Sequence, residues 1–101
     1  MNEIETLKNE VRRFRDERGW GKHHTPKNLA QALASEVGEL NDLYLWDRRP
    51  CLFDVRDEMA DIMIYLLHLS DATGLNLFEA VLQKVQKNDL KYPVDMGKEK
   101  Y

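Results

Sequence analysis

Two helical stretches of this chain carry glutamates inside their own apolar stripes, an arrangement that few folds tolerate. Successive helical residues advance by about 100°. With Glu36 at zero, Leu29, Leu33, Leu40 and Leu43 fall within roughly 60° of it, and Glu39 lies at the edge of that stripe. With Glu58 at zero, Val55, Ile62, Leu66 and Leu69 fall within roughly 80°, and Asp61 flanks Glu58 as Glu39 flanks Glu36. An ionised carboxylate turned toward a core is strongly disfavoured unless it is paired or metal-bound. If the two faces pack together, four carboxylates converge. Cations relieve the resulting repulsion, and an all-oxygen ligand set suits Mg²⁺ or Mn²⁺.

The surrounding pattern is helical throughout. Ile4, Leu7, Val11 and Phe14 recur at three- and four-residue intervals and predict a first helix that stops near Gly19-Trp20-Gly21. Thr25-Pro26 supplies an N-cap and a first-turn proline for a second helix, which runs to about Trp46 before Arg48-Arg49-Pro50-Cys51 breaks it. Asp54 is the expected N-cap of a third helix, with Gly74 closing it. Asn76, with Glu79 three residues on, opens a fourth that Tyr92-Pro93 ends. On that last helix Lys84 and Asn88 share the face of Leu77, Val81 and Val85. No segment alternates with period two, so the expected fold is an all-α four-helix bundle. Residues 1–93 form its single domain and 94–101 a polar C-terminal tail.

Composition narrows the function classes. A net charge of −3 offers no basic field for a nucleic acid polymer, so a chain of this kind that handles phosphates needs metal ions or a few focused cations. The single cysteine, Cys51, reads as a spare thiol in a reducing cytoplasm. The first residues lack the order of a signal peptide, and the longest apolar run, Ile62 to Leu67, is far too short to span a membrane. Trp20 reads as a core aromatic, His23 as a surface residue, and His68 falls on the polar side of its helix.

Further segments complete a family pattern: Glu-Arg-Gly-Trp (17–20), His-Thr-Pro-Lys-Asn-Leu (24–29), Ser-Glu-Val-Gly-Glu-Leu (35–40), Asp-Glu-Met-Ala-Asp-Ile (57–62), and Lys84 through Asn88 to Lys91-Tyr92-Pro93. From Arg12 to Pro93 the chain resembles the MazG-like branch of the all-α nucleoside triphosphate pyrophosphatases, in particular its short dCTP-pyrophosphatase-like members. The resemblance implies that Glu36, Glu39, Glu58 and Asp61 are catalytic metal ligands for Mg²⁺, with Mn²⁺ as the alternative. It implies that His24, Trp46, Tyr65 and Asn88 line a nucleotide pocket, with Lys84 and Lys91 or Tyr92 near the phosphates. The implied reaction converts a nucleoside triphosphate, dCTP or a related pyrimidine, to monophosphate and pyrophosphate in nucleotide pool cleaning. The implied assembly is a homodimer or homotetramer. One position departs from the longer family motif: Ser35 stands where a first glutamate would be, which bears on the number of metals held. Two other classes are compatible with carboxylates inside helices. A di-iron bundle requires Glu-x-x-His, which is absent. A non-catalytic nucleotide- or metal-binding interaction module requires only the carboxylates.

Overall fold

The computed structural model describes residues 2–94, so all of the expected 94–101 tail but its first residue lies outside the described residues. Four helices account for most of the chain: α1 (Glu3–Glu17), α2 (Pro26–Trp46), α3 (Leu52–Thr73) and α4 (Leu77–Lys91). A 3-10 turn, Trp20–His23, links the first two. No strand occurs among the described residues, and none of the helices is long and apolar enough to cross a membrane.

Short-range chemistry sets most of the boundaries. The Asn2 side chain accepts from the Glu5 N–H at 2.8 Å and opens α1. Gly19, at φ +65°, turns the chain out of α1 through a left-handed conformation that disfavours a Cβ. Thr25 Oγ1 accepts from the Asn28 N–H at 3.2 Å, and Pro26 follows in the first turn of α2. Asn76 Oδ1 accepts from the Glu79 N–H at 3.0 Å at the start of α4.

The start of α3 differs from expectation. The Cys51 carbonyl accepts from the Asp54 and Val55 N–H groups at 3.1 and 3.2 Å, so the first turn closes around Asp54 instead of beginning at it. Cys51 contributes no side-chain cap, and Asp54 supplies negative charge within that first turn. Gly74 ends the helix at φ +74°.

Helices α2 and α3 form an antiparallel hairpin with the most extensive interface in the chain, and α1 lies across α3. The innermost side chains are Leu29 of α2 with Val55 and Leu67 of α3. Arg12 of α1 forks onto Asp71 of α3 at 2.7 and 2.8 Å, and Arg15 reaches the same carboxylate at 3.1 Å. These guanidiniums hold Asp71 below the usual carboxylate range. They also explain why His68 is buried and not solvent-facing: α1 and the 3-10 turn cover the polar side of α3 that carries His68 and Asp71.

Helix α4 meets the rest mainly near its start, where Leu77 and Phe78 are half-buried. Beyond that, Val81, Leu82, Val85 and Leu90 are exposed, as are Leu45, Trp46, Leu52 and Phe53 around the α2–α3 turn. Two apolar surfaces are therefore left without a partner among the described residues.

Candidate active site

The α2–α3 hairpin sets the two carboxylate pairs against each other. One oxygen each from Glu36, Glu58 and Asp61 lies within 4.8 Å of the other two, forming a three-ligand cluster. Glu36 and Glu58 are half-buried, whereas Asp61 and Glu39 are exposed. The Oε2 atoms of Glu36 and Glu58 are sealed from solvent without a donor. Burial, then the adjoining Glu58 and Glu39 carboxyls, push Glu36 up to about 7. Burial likewise raises Glu58, with Glu39 and Asp61 adding to the effect. Glu39 thus acts on both half-buried acids from the solvent side without joining the close trio.

The donor set fits a hard divalent cation. Its oxygens converge, two are orphaned, and the nearest neighbours are like-charged. A cation, or a proton shared between Glu36 and Glu58, is the available remedy.

Beside the cluster opens a cavity of about 420 Å³, with Glu36 and Asp61 on its lining. Val11 and Phe14 of α1, Trp20 and His24 of the connecting segment, and Ile64, Tyr65 and His68 of α3 complete most of the wall. Phe14 and Trp20 meet edge to face with centroids 5.5 Å apart, and the Arg18 guanidinium stacks 3.6 Å over Phe14. His24 and His68 pack at 4.5 Å, and Tyr65 meets His68 at 6.3 Å. The volume suits a nucleoside, and the lining combines aromatic rings with the Glu36 and Asp61 carboxylates.

Of the expected pocket residues, His24 and Tyr65 line this cavity. Trp46, at 85% exposed, stands at the α2–α3 turn outside the lining. Lys84, Asn88, Lys91 and Tyr92 belong to α4 or its end and also lie outside it. Lys91 instead sits 5.3 Å from the Tyr92 ring centroid. Trp20 and His68 are cavity residues that sequence reasoning read otherwise. The signal for Trp20 was its place between Gly19 and Gly21, in a turn and not on a core-facing helix.

The chain is 37% identical to dCTP pyrophosphatase 1 of Bos taurus over 95 residues, covering 84% of this chain and 56% of that protein. It is 35% identical to dCTP pyrophosphatase 1 of Homo sapiens over the same coverage. The chain thus spans little more than half the length of these relatives. A crystal structure of a pyrophosphatase from Archaeoglobus fulgidus superposes with a TM-score of 0.84 at 42% identity, covering 92% of this chain and 94% of the other. Residues 33–101, which contain both carboxylate pairs, match the MazG-like family model, and the chain belongs to the MazG-like family.

Proposed function

We propose that this chain is a nucleoside triphosphate pyrophosphohydrolase acting on dCTP or a related pyrimidine nucleotide, with residues 1–93 as its catalytic domain and nucleotide pool cleaning as its role. The observation that carries this reading is the junction of the Glu36–Glu58–Asp61 cluster with an aromatic, nucleoside-sized cavity. The dCTP pyrophosphatases among the relatives favour the pyrimidine base.

Glu36, Glu58 and Asp61 would hold Mg²⁺ or Mn²⁺, with Glu39 completing the set from the solvent side. Such an ion, when bound, neutralises charge on the triphosphate and polarises water. The protein's own contribution is placement. Trp20, Phe14 and Tyr65 would hold the base, so that the phosphates extend toward the carboxylates. Glu36 or Glu39 would orient the water that attacks phosphorus and accept its proton, Glu39 being the more exposed of the two. Monophosphate and pyrophosphate then leave.

The same reading makes the active unit a homodimer or homotetramer in a reducing cytoplasm. Lys84, Asn88, Lys91 and Tyr92 lie outside the cavity of one chain, and α4 leaves its apolar side exposed. A second copy packed on α4 would bury that side and bring these residues toward a neighbouring site.

The test is product analysis. The protein is incubated with each canonical dNTP and NTP, plus 5-methyl-dCTP, with Mg²⁺, and pyrophosphate is resolved from orthophosphate. Monophosphate plus pyrophosphate from one or a few bases is expected. Orthophosphate release, or no turnover with either metal, overturns the proposal; calorimetric nucleotide binding without turnover identifies the non-catalytic module.

A further inference from the structure

Two imidazoles in the cavity wall lack a polar partner. His24 and His68 both line the cavity, and the Nδ1 of each is sealed from solvent without a hydrogen bond. His68 is 5% exposed, although it sits on the otherwise polar side of α3. Neither ring makes a hydrogen bond to the protein among the described residues, so each keeps a ring nitrogen to offer a ligand in the nucleoside-sized cavity whose wall both share. The oxygen cluster is the one grouping of three or more metal-ligating residues among the described residues, and neither histidine belongs to it.

The charge state defines what the pair offers. Burial, with His24 and Arg15 nearby, pushes His68 down to about 4, against a weaker upward pull from Asp71. Burial first, then Arg15 and His23, lowers His24. Asp71 stays committed to Arg12 and Arg15. Near neutral pH each ring is uncharged, with one N–H donor and one bare nitrogen. A sealed N–H without an acceptor is a rarer defect than a bare lone pair, so the proton is assigned to Nε2. With Nδ1 sealed, Nε2 is also the only ring nitrogen that a ligand in the cavity can reach.

We propose that His68, beside His24, contacts the nucleobase and selects cytosine, its Nε2–H donating to cytosine N3. Thymine and uracil carry an N–H at that ring position, which would set donor against donor. This inference rests on the proposed function, since it assigns the base preference of that same cavity.

The experiment uses the full chain with ¹⁵N-labelled histidine and long-range ¹H–¹⁵N spectra, the His68 signal being identified by its loss in His68→Gln. Deoxycytidine monophosphate and thymidine monophosphate are added separately with Mg²⁺. The expected result is an Nε2–H tautomer in the free protein and a shift of the His68 Nε2 resonance with the cytosine nucleotide alone. In parallel, His68→Phe is expected to lower the dCTP-to-dTTP ratio of kcat/KM about tenfold, the scale of one lost hydrogen bond. His68→Gln, whose amide nitrogen reaches where Nε2 stands, is expected to restore most of it. An Nδ1–H tautomer, equal shifts with both nucleotides, or an unchanged ratio in His68→Phe overturns the inference. If His68→Phe fails to fold, the wild-type spectra decide alone. Wild-type protein that hydrolyses no triphosphate overturns the proposed function, whereas wild-type turnover with an unmoved His68 signal overturns only this inference.

Discussion

Glu36 illustrates how one residue can carry both a stability signature and a functional one. Its carboxyl rises from 4.5 to about 7 in the folded chain. A carboxyl held above its unfolded value contributes stability that is fully present below about 4.5 and is lost as pH rises through about 7. Metal-free protein is therefore expected to melt at progressively lower temperature between pH 5 and pH 8. Glu36→Gln should flatten that dependence, and thermal melts in a chelator at several pH values measure it; an unchanged slope in the variant would count against the assignment. Glu58→Gln should cost at least about a hundredfold in turnover, since it removes a proposed ligand. It should also abolish the thermal shift on adding Mg²⁺ while leaving the helical circular dichroism intact. Glu36 and Glu58 were legible in the sequence because periodicity alone places them inside apolar stripes. His68 was not, because its burial depends on Arg12 and Arg15 of another helix crossing above it. No local pattern encodes that crossing.

At the scale of elements, caps and crossings divide the labour. Thr25-Pro26, Gly74 and Asn76 were readable because each acts on a backbone group within a few residues of itself. The N-terminus of α3 was not, because Asp54 has the chemistry of a cap, yet Cys51 already closes the turn with its carbonyl. A Cβ at Gly74 meets nothing within 4 Å, so Gly74→Ala is expected to cost only the left-handed backbone penalty, about 1 kcal/mol. Asp71→Ala removes the shared acceptor of Arg12 and Arg15 between α1 and α3 and is expected to cost about 2 kcal/mol. Urea midpoints measure both. Because α1 supplies Phe14 and approaches Trp20, loosening it should also weaken nucleotide binding, whereas Gly74→Ala should not.

For the whole molecule, the number and length of the helices followed from period and punctuation, and no strand appears among the described residues. The position of α4 did not follow, because an apolar helix face is equally well satisfied by its own chain or by another copy. Leu82, 68% exposed, and Leu90, 85% exposed, lie on a helix with little intrachain cover. Sedimentation equilibrium is expected to give a dimer or tetramer, and Leu82→Glu should shift it toward monomer with the helices retained. A monomeric wild type would place Lys84 and Asn88 outside the site for good. The carboxylate trio has one more consequence, which belongs to the solution around the protein. Near neutral pH Glu36 holds a proton for part of the time, and a divalent ion binding there must expel it. Loading of the proposed metal site would therefore acidify its surroundings, and the heat of metal binding is expected to vary with the ionisation enthalpy of the buffer that collects those protons.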